Sequence, residues 1–523
     1  MRDVGDRLAA NLEQLDPLTA SEWGATSSDL PAFDPDWFEA RAELSRSALA
    51  ELTEAPDDID ADVIRERATT ELDWIASGEA YCELQAALDS PLFRIRHCFD
   101  NMPTATTDDW RTIAERLERV PAALRGFTRT LDAFRHAGPR AAASQVEASA
   151  AAAASWADSG GGRSVFHELA NSRPESSGTA LGESLSSAAD GAAAAFDDMA
   201  AFLRGVYLPS APEREAVGSE RFAIWSRRYA GDVIGRDDYD FAAARLDETM
   251  RELEDLRTSA AVSGASPTIT GEAEFIRWAE QQLEIARRRL PDIVTVDVPP
   301  IAIRVQPDGA TYYAPAAEDG SSPATVWVGG GDGPHHVEYD KTVLFHESIP
   351  GHHLESSAQR HATHLSRFQR TVYIPAHSEG WGLYAEGLAE EIGLIDTAHA
   401  RLGCRGSQAL RLVSLLVDVG LHTELRPPAG LRELVGETWT VPGATRAIAS
   451  VGLDNDVASW WIVNMIGRPA HRASYAAGER AMLDARRAAT SRNATLPTFH
   501  TELLAMGPMG LAQLRRASRT HVR

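Results

Sequence analysis

Only three cysteines, Cys82, Cys98 and Cys404, occur in a chain of 523 residues, and no two form a C-x-x-C pair. So few, so widely spaced, they exclude a disulfide framework and a thiolate metal site, and read as reduced thiols. No stretch is apolar enough to span a bilayer, and the start, Met1 to Arg7, carries acids with no apolar run behind it. The expectation is a protein without a secretory signal or membrane span, and therefore a cytoplasmic one. Basic residues are in deficit, 51 Lys+Arg against 76 Asp+Glu, a formal charge of -25. A surplus of that sign disfavours nucleic acid and anionic lipid as partners. There is no G-x-S-x-G elbow, no dinucleotide fingerprint after a strand, and no cysteine in a nucleophile's context. The glycine-rich run Gly329-Gly330-Gly331-Asp332-Gly333 lacks the lysine and spacing of a phosphate loop. Lying just ahead of His335 and His336, it reads instead as a flap over a groove.

What is present is mostly helical periodicity. With 44% hydrophobic residues the chain can bury a large core. Up to about residue 290 apolar residues recur at three- and four-residue spacing, as in Ile113, Leu117, Val120 and Leu124, or Ile276, Ala279, Leu283 and Ala286. Two alanine-rich segments, Ala141 to Trp156 and Ala188 to Leu203, have high helix propensity, and their embedded large side chains argue for packed helices. The Gly160-Gly161-Gly162 run between them predicts a break opening a polar loop through Ser177. At Pro291 the character changes. Short β-branched or aromatic runs (Ile293 to Val298, Ile301 to Val305, Thr311 to Tyr313, Ala324 to Val328) predict a small, mostly antiparallel sheet between Val294 and Val328. Helix resumes near Glu338. The fold class expected is mainly α, with an N-terminal helical region (1–290) and a catalytic region (291–523) forming one continuous body. An edge strand beside the next helix could hold an extended peptide by main-chain pairing, or the sheet could be scaffold only.

The chemistry is concentrated after that sheet, in Phe345-His346-Glu347-Ser348-Ile349-Pro350-Gly351-His352-His353-Leu354. Imidazoles and carboxylates are the ligands a catalytic zinc needs, and a glutamate beside the first histidine can take the proton of a zinc-activated water. In the H-E-x-x-H motif two histidines one turn apart share a helical face. Here position i+4 from His346 is Pro350. On an unbroken helix His353 would return to within ~20° of that face but ~10 Å further along, and His352 would be ~120° off it. Neither fits an ideal helix. Proline at 350 and glycine at 351 therefore predict a kinked or bulged helix, which favours His352 over His353 as the second ligand and leaves both open. A third ligand is expected from Ser378-Glu379-Gly380-Trp381-Gly382-Leu383-Tyr384-Ala385-Glu386. Glu379 and Glu386 are seven apart and share a face, so Glu379 would bind the ion while Glu386 orients a ligand histidine. His377 is a rival ligand or a supporting group. The ion expected is zinc, with cobalt or manganese as alternatives on the same donors.

The run H-E-S-I-P-G-H-H-L followed by E-G-W-G-L-Y-A-E resembles the DUF885 family of bacterial proteins. The resemblance extends more weakly through Arg411-Leu412-Val413, Asp418-Val419-Gly420-Leu421-His422 and Ser474-Tyr475-Ala476-Ala477-Gly478. It implies a gluzincin-like metallopeptidase with a helical body similar to that of the M32 carboxypeptidases, with His346, Glu347, His352 or His353, and Glu379 at its zinc site. Two departures stand out. Glycine replaces the usual alanine at 382, which reads as harmless, and Ala470, His471 and Arg472 replace a commoner small-polar-leucine wording. The function expected is zinc-dependent peptide hydrolysis, as a carboxypeptidase on short peptides. An aminopeptidase, a dipeptidase or a hydrolase of a small non-peptide amide or ester would use the same residues. A metal-stabilised protein that only binds peptides is the alternative of another class, against which Glu347 speaks. Tyr475 and His422 are candidate oxyanion donors, and Arg411 and Arg468 candidates for a substrate carboxylate. Oligomeric state is not legible.

Overall fold

The computed structural model describes the chain apart from residues 1, 24, 26, 54–57, 85–89, 101, 159–162, 175–177, 308, 318–319, 321 and 521–523. Ten helices carry the argument: α1 (Thr107–Phe134), α2 (Ala143–Ala157), α3 (Thr179–Phe202), α4 (Arg236–Ser263), α5 (Glu272–Arg289), α6 (Val337–Glu347), α7 (His352–His361), α8 (Pro375–Glu391), α9 (Ala398–Thr423) and α10 (His471–Thr490). The fold is mainly α with one small sheet. In α1 a capping box, Thr106 with Asp109, satisfies the first backbone donors. Ile113, Leu117, Val120, Leu124, Phe127 and Leu131 then bury one stripe. Side chains of that size contribute about 1.5–3 kcal/mol each on full burial. They pack on α3, whose Ala188, Ala189 and Ala192 allow close approach while Phe196 and Met199 fill the seam. One apolar core holds residues from Leu8 to Ala517, so the regions either side of residue 290 share it.

The glycine run at 160–162 lies outside the described residues. The polar loop expected beyond it is partly helix, Val165–Asn171, because Ser164 caps the backbone of His167 and Phe166 stacks on Phe196 with ring centroids 5.1 Å apart.

The sheet has strands β1 (Ala302–Val305), β2 (Tyr312–Ala314) and β3 (Thr325–Val328) in the order β1-β3-β2. It is mixed, not mostly antiparallel: β1 pairs with β3 in parallel (Ile303 opposite Val326) and β2 antiparallel (Tyr313 opposite Val326). The run 293–298 forms no strand. Its backbone is taken by helix Leu496–Ala505 instead, Thr501 Oγ1 accepting from Thr295 N–H and His500 Nδ1 lying 2.7 Å from the Ile293 carbonyl. The buried side chains Ile293, Val294 and Val298 accordingly join the main core. The sheet has its own small core, in which Ile303, Val326 and Val328 meet Phe275, Ala279 and Leu283 of α5 and Leu344 of α6. Leu344 is one contact through which the sheet braces the helix that ends in His346 and Glu347.

Candidate metal centre

The helix expected to kink between His346 and His353 instead ends at Glu347, and α7 begins at His352. Between them the Ile349–Pro350 peptide is cis, and Gly351 folds back so that its N–H donates to the Phe345 carbonyl at 3.0 Å. A side chain at 351 would lie 1.8 Å from the His346 carbonyl oxygen, so glycine is required. The indole of Trp381 on α8 donates to the carbonyls of both Pro350 and Gly351, at 3.1 and 3.2 Å. The break is thereby tied to the helix that carries Glu379.

Two further glycines let the helices close on each other. A Cβ on Gly382 would lie 2.5 Å from His346 Cε1 and 2.6 Å from its Nε2, so the imidazole occupies the space of the missing side chain. The alanine that the resemblance makes interchangeable there is not neutral in this packing. Gly380 faces Gly478 of α10, and a Cβ on Gly380 would lie 2.5 Å from the Gly478 backbone. The crossing brings α10, with Tyr475 one turn earlier, against α8 beside Glu379.

His346, His352 and Glu379 each offer one ligand atom, all within 4.8 Å of one another. Glu379 Oε2 lies 3.5 Å from His346 Nε2 and 3.8 Å from His352 Nε2, and the two imidazole planes stand at 89°. These separations are long for hydrogen bonds. Donors about 2.0–2.2 Å from a tetrahedral zinc sit roughly 3.4 Å from each other, so the three atoms are spaced to share one ion. The far side of each imidazole meets a carboxylate. His346 Nδ1 is 2.9 Å from Glu386 Oε1, which also accepts from Ser407. His352 Nδ1 is 3.4 Å from Glu355 Oε2, itself held by Ser378 Oγ at 2.9 Å. With each Nδ1–H turned to a carboxylate, loss of the Nε2 proton would aim each Nε2 lone pair at the common point. The Tyr373 hydroxyl donates to the other Glu379 oxygen at 2.7 Å.

Electrostatics tell the same story. Burial alone would lower the pKa of His346, but the carboxylates of Glu379 and Glu386 outweigh it and raise the group to about 10. His352 is raised too, Glu355 prevailing over burial. Glu379 is held well below the usual carboxylate range by the two imidazoles despite its burial. Protons on the histidines thus supply positive charge that a bound cation would replace. Burial raises the pKa of Glu347, the imidazoles opposing, and the Tyr313 backbone of β2 hydrogen-bonds its carboxylate.

Other predicted residues lie elsewhere. His353 turns away: its Nε2 is 2.8 Å from the Pro299 carbonyl and its Nδ1 3.2 Å from the Tyr313 hydroxyl, so both nitrogens are engaged and neither reaches Glu379. His377 Nδ1 accepts from Met509 N–H at 3.4 Å, and its Nε2 faces Glu355 rather than the ligand set. His422 is not an oxyanion donor here. Its Nδ1 accepts from Val217 N–H at 3.3 Å, its Nε2 meets the Met465 carbonyl at 3.2 Å, and burial lowers its pKa to about 4. Tyr475 is 8% exposed, and burial, with the charge of Glu379, raises its pKa to about 12 and keeps the hydroxyl protonated. Arg411 lies with its guanidinium carbon 5.0 Å from the Tyr475 ring centre, and Arg468 lies 5.9 Å from that of Tyr229. The glycine-rich segment is no free flap: His335 pairs with Ile269 through its backbone and packs its ring against Phe275, and the Asp332 carbonyl accepts from Gly271. Sequence reasoning missed Glu355 and Tyr373. Glu355 was findable, three residues after His352 on the same helix face.

Fold and site together define a mainly helical protein with a largely buried two-histidine, one-glutamate cluster backed by carboxylates. The chain belongs to a family described as "Bacterial protein of unknown function (DUF885)", whose model matches residues 17–517. No curated protein shows significant similarity to it. Among solved structures, a "putative lipoprotein from Colwellia psychrerythraea" is similar at 17% identity and a TM-score of 0.83, over 99% of this chain and 97% of the other. A "putative lipoprotein of unknown function from Shewanella oneidensis" is similar at 16% identity and 0.71, over 98% of each chain. At these identities the likeness shows the shared fold. Among the described residues no helix is long and apolar enough to cross a membrane.

Proposed function

We propose that the protein is a zinc-dependent hydrolase of peptide bonds, of the gluzincin-like kind, acting as a carboxypeptidase on short peptides. One observation carries the reading: His346 Nε2, His352 Nε2 and Glu379 Oε2 converge on one point, with Glu347 directly following the first ligand. Two nitrogens and one carboxylate oxygen fit zinc, and would also accept cobalt or manganese. A zinc ion held there would supply an acidified water and polarise a carbonyl.

The chain's own residues do the rest. Glu386 and Glu355 hold the imidazoles in the tautomer that frees Nε2. Glu347, its pKa raised by burial, accepts the proton of the attacking water and passes it to the leaving amine. The Tyr475 hydroxyl, protonated at neutral pH, donates to the oxyanion developing on the attacked carbonyl. β2 is an outer strand beside Glu347, and an extended substrate pairs along it.

A mixed-peptide digest read by mass spectrometry, with and without chelator, on wild type and Glu347→Gln, tests the proposal. The expected result is chelator-sensitive trimming from the C-terminal end that Glu347→Gln abolishes. Trimming from the N-terminal end would make it an aminopeptidase. Identical peptide patterns for wild type and the metal-loaded variant would sink the peptidase reading.

A further inference from the structure

The strongest unassigned feature is a group of three arginines on the α10 side of the metal cluster. Arg411 comes from α9, Arg468 from the turn before α10, and Arg472 from the first turn of α10. Arg472 lies 3.9 Å from the ring centre of Trp461 and 5.7 Å from that of Tyr475, and Arg411 lies 5.5 and 5.0 Å from the same two rings. The two guanidiniums therefore flank one pair of aromatic faces. Glu379, a ligand of the cluster, is close enough for its charge to act on both Arg472 and Tyr475. The group adjoins the candidate metal site.

Grouping like charges needs a reason. Among the described residues no carboxylate lies within ion-pair distance of Arg411 or Arg472, and buried nitrogens of both, Nε and Nη1 of Arg411 and Nε of Arg472, have no hydrogen-bond partner. Asp418 interacts with the charge of Arg472, but its carboxylate is held by backbone N–H groups of the turn, those of Ala470 and Ala473 at 3.0 Å each. Arg472 also stands at the positive end of α10, where a cation is disfavoured. Leaving buried donors of a charged group unmade costs more than leaving neutral ones. Both residues are only partly buried as wholes, while their unpartnered nitrogens face the interior. Stacking on Trp461 and Tyr475 holds the planar forks, and a carboxylate reaching them would supply the acceptors that the buried nitrogens lack.

We propose that Arg411 and Arg472, with Arg468 beside them, bind two carboxylates on one substrate, so that the residue released is acidic: a C-terminal aspartate or glutamate, or a like amino-dicarboxylate. Two unpaired guanidiniums ask for two anionic groups, where a single terminal carboxylate would match one. The assignment of these groups to the leaving side rests on the hydrolase reading above. The binding itself does not.

The test is therefore a binding measurement on the full chain, made both with zinc and after chelator treatment. Calorimetry would compare N-acetyl-glutamate with N-acetyl-glutamine, which differ only in the second carboxylate. At least tenfold tighter binding of N-acetyl-glutamate is expected in either form. Arg472→Met keeps the apolar stem over Trp461 and should bring the preference below threefold, with an unchanged circular dichroism spectrum. Arg411→Lys keeps a charge without the fork and should weaken N-acetyl-glutamate binding. Equal affinity for the two probes, absence of binding, or an undiminished preference in Arg472→Met would overturn the proposal. Displacement of N-acetyl-glutamate by equimolar inorganic phosphate would assign the arginines to a phosphate and overturn the carboxylate pair. A preference that survives while the peptide digest fails would refute the hydrolase reading alone.

Discussion

Replacing Gly382 by alanine adds one methyl group, and its effect has a sign that depends on the packing described here. Gly382 lies inside α8, where glycine is about 0.5–1 kcal/mol less favourable than alanine. With free space at the position, Gly382→Ala should stabilise the protein by that amount. The structure leaves no such space: the methyl carbon would stand 2.5, 2.6 and 3.0 Å from three atoms of the His346 ring. Ordinary contacts are about 3.5–4.0 Å, so ring and helix must separate by roughly 1 Å. The ring cannot swing aside cheaply, being buried and held by Glu386 at 2.9 Å on its far nitrogen. Overpacking of this kind costs about 1–3 kcal/mol, more than the helix propensity returns. The same displacement moves Nε2, whereas metal–ligand distances tolerate about 0.2 Å. We expect Gly382→Ala to lower the denaturation midpoint and to weaken zinc binding about 10- to 100-fold. Urea denaturation of the chelator-treated protein and competition with a chromophoric chelator read the two effects. A variant that is more stable than wild type and binds zinc as tightly would refute the packing argument.

Three further outcomes follow from the site. His352→Ala should empty the metal site in elemental analysis and His353→Ala should leave it loaded. The reverse pattern would mean that the wrong imidazole faces Glu379. Glu386→Gln should weaken zinc affinity about 10- to 100-fold, because the His346 ring loses the carboxylate that orients it, and an unchanged affinity in a chelator competition would contradict that role. Zinc must displace the proton that His346, with a pKa of about 10, carries in the metal-free protein. Apparent affinity should therefore rise about tenfold per pH unit between pH 7 and 9, with proton release on binding. In the metal-free protein the same raised pKa stabilises the fold fully below about 6.5, and that contribution is lost as pH rises towards 10. Calorimetry in buffers of different ionisation enthalpy detects the proton, and binding without proton release would be inconsistent with the charged imidazole.

Much of the local structure was legible in the chain because it is set by neighbours in sequence. The 3.6-residue stripe of α1, the strand-like runs of β1 to β3, and the seven-residue spacing of Glu379 and Glu386 are short-range patterns. So is the helix breaker Pro350-Gly351, although its consequence was misjudged. The run 293–298 has strand composition, but its backbone partners come from helix Leu496–Ala505, which no local rule could supply. The parallel pairing of β1 with β3 likewise depends on which strand edges meet.

By itself the sequence determined the donor chemistry: two imidazoles, a carboxylate and an adjacent glutamate, on segments whose helical periodicity is plain. Only the tertiary structure decided which histidine joins His346, because that depends on how the 348–351 turn is pinned by Trp381. It alone revealed that Glu355 and Tyr373 hydrogen-bond the candidate ligands, that His422 is sealed in the core, and that Arg472 lies with Arg411 beside Tyr475. The physical reason is range: composition and periodicity report the faces of single elements. The site is made where α6, α7, α8 and α10 cross, at distances set by Gly351, Gly380, Gly382 and Gly478.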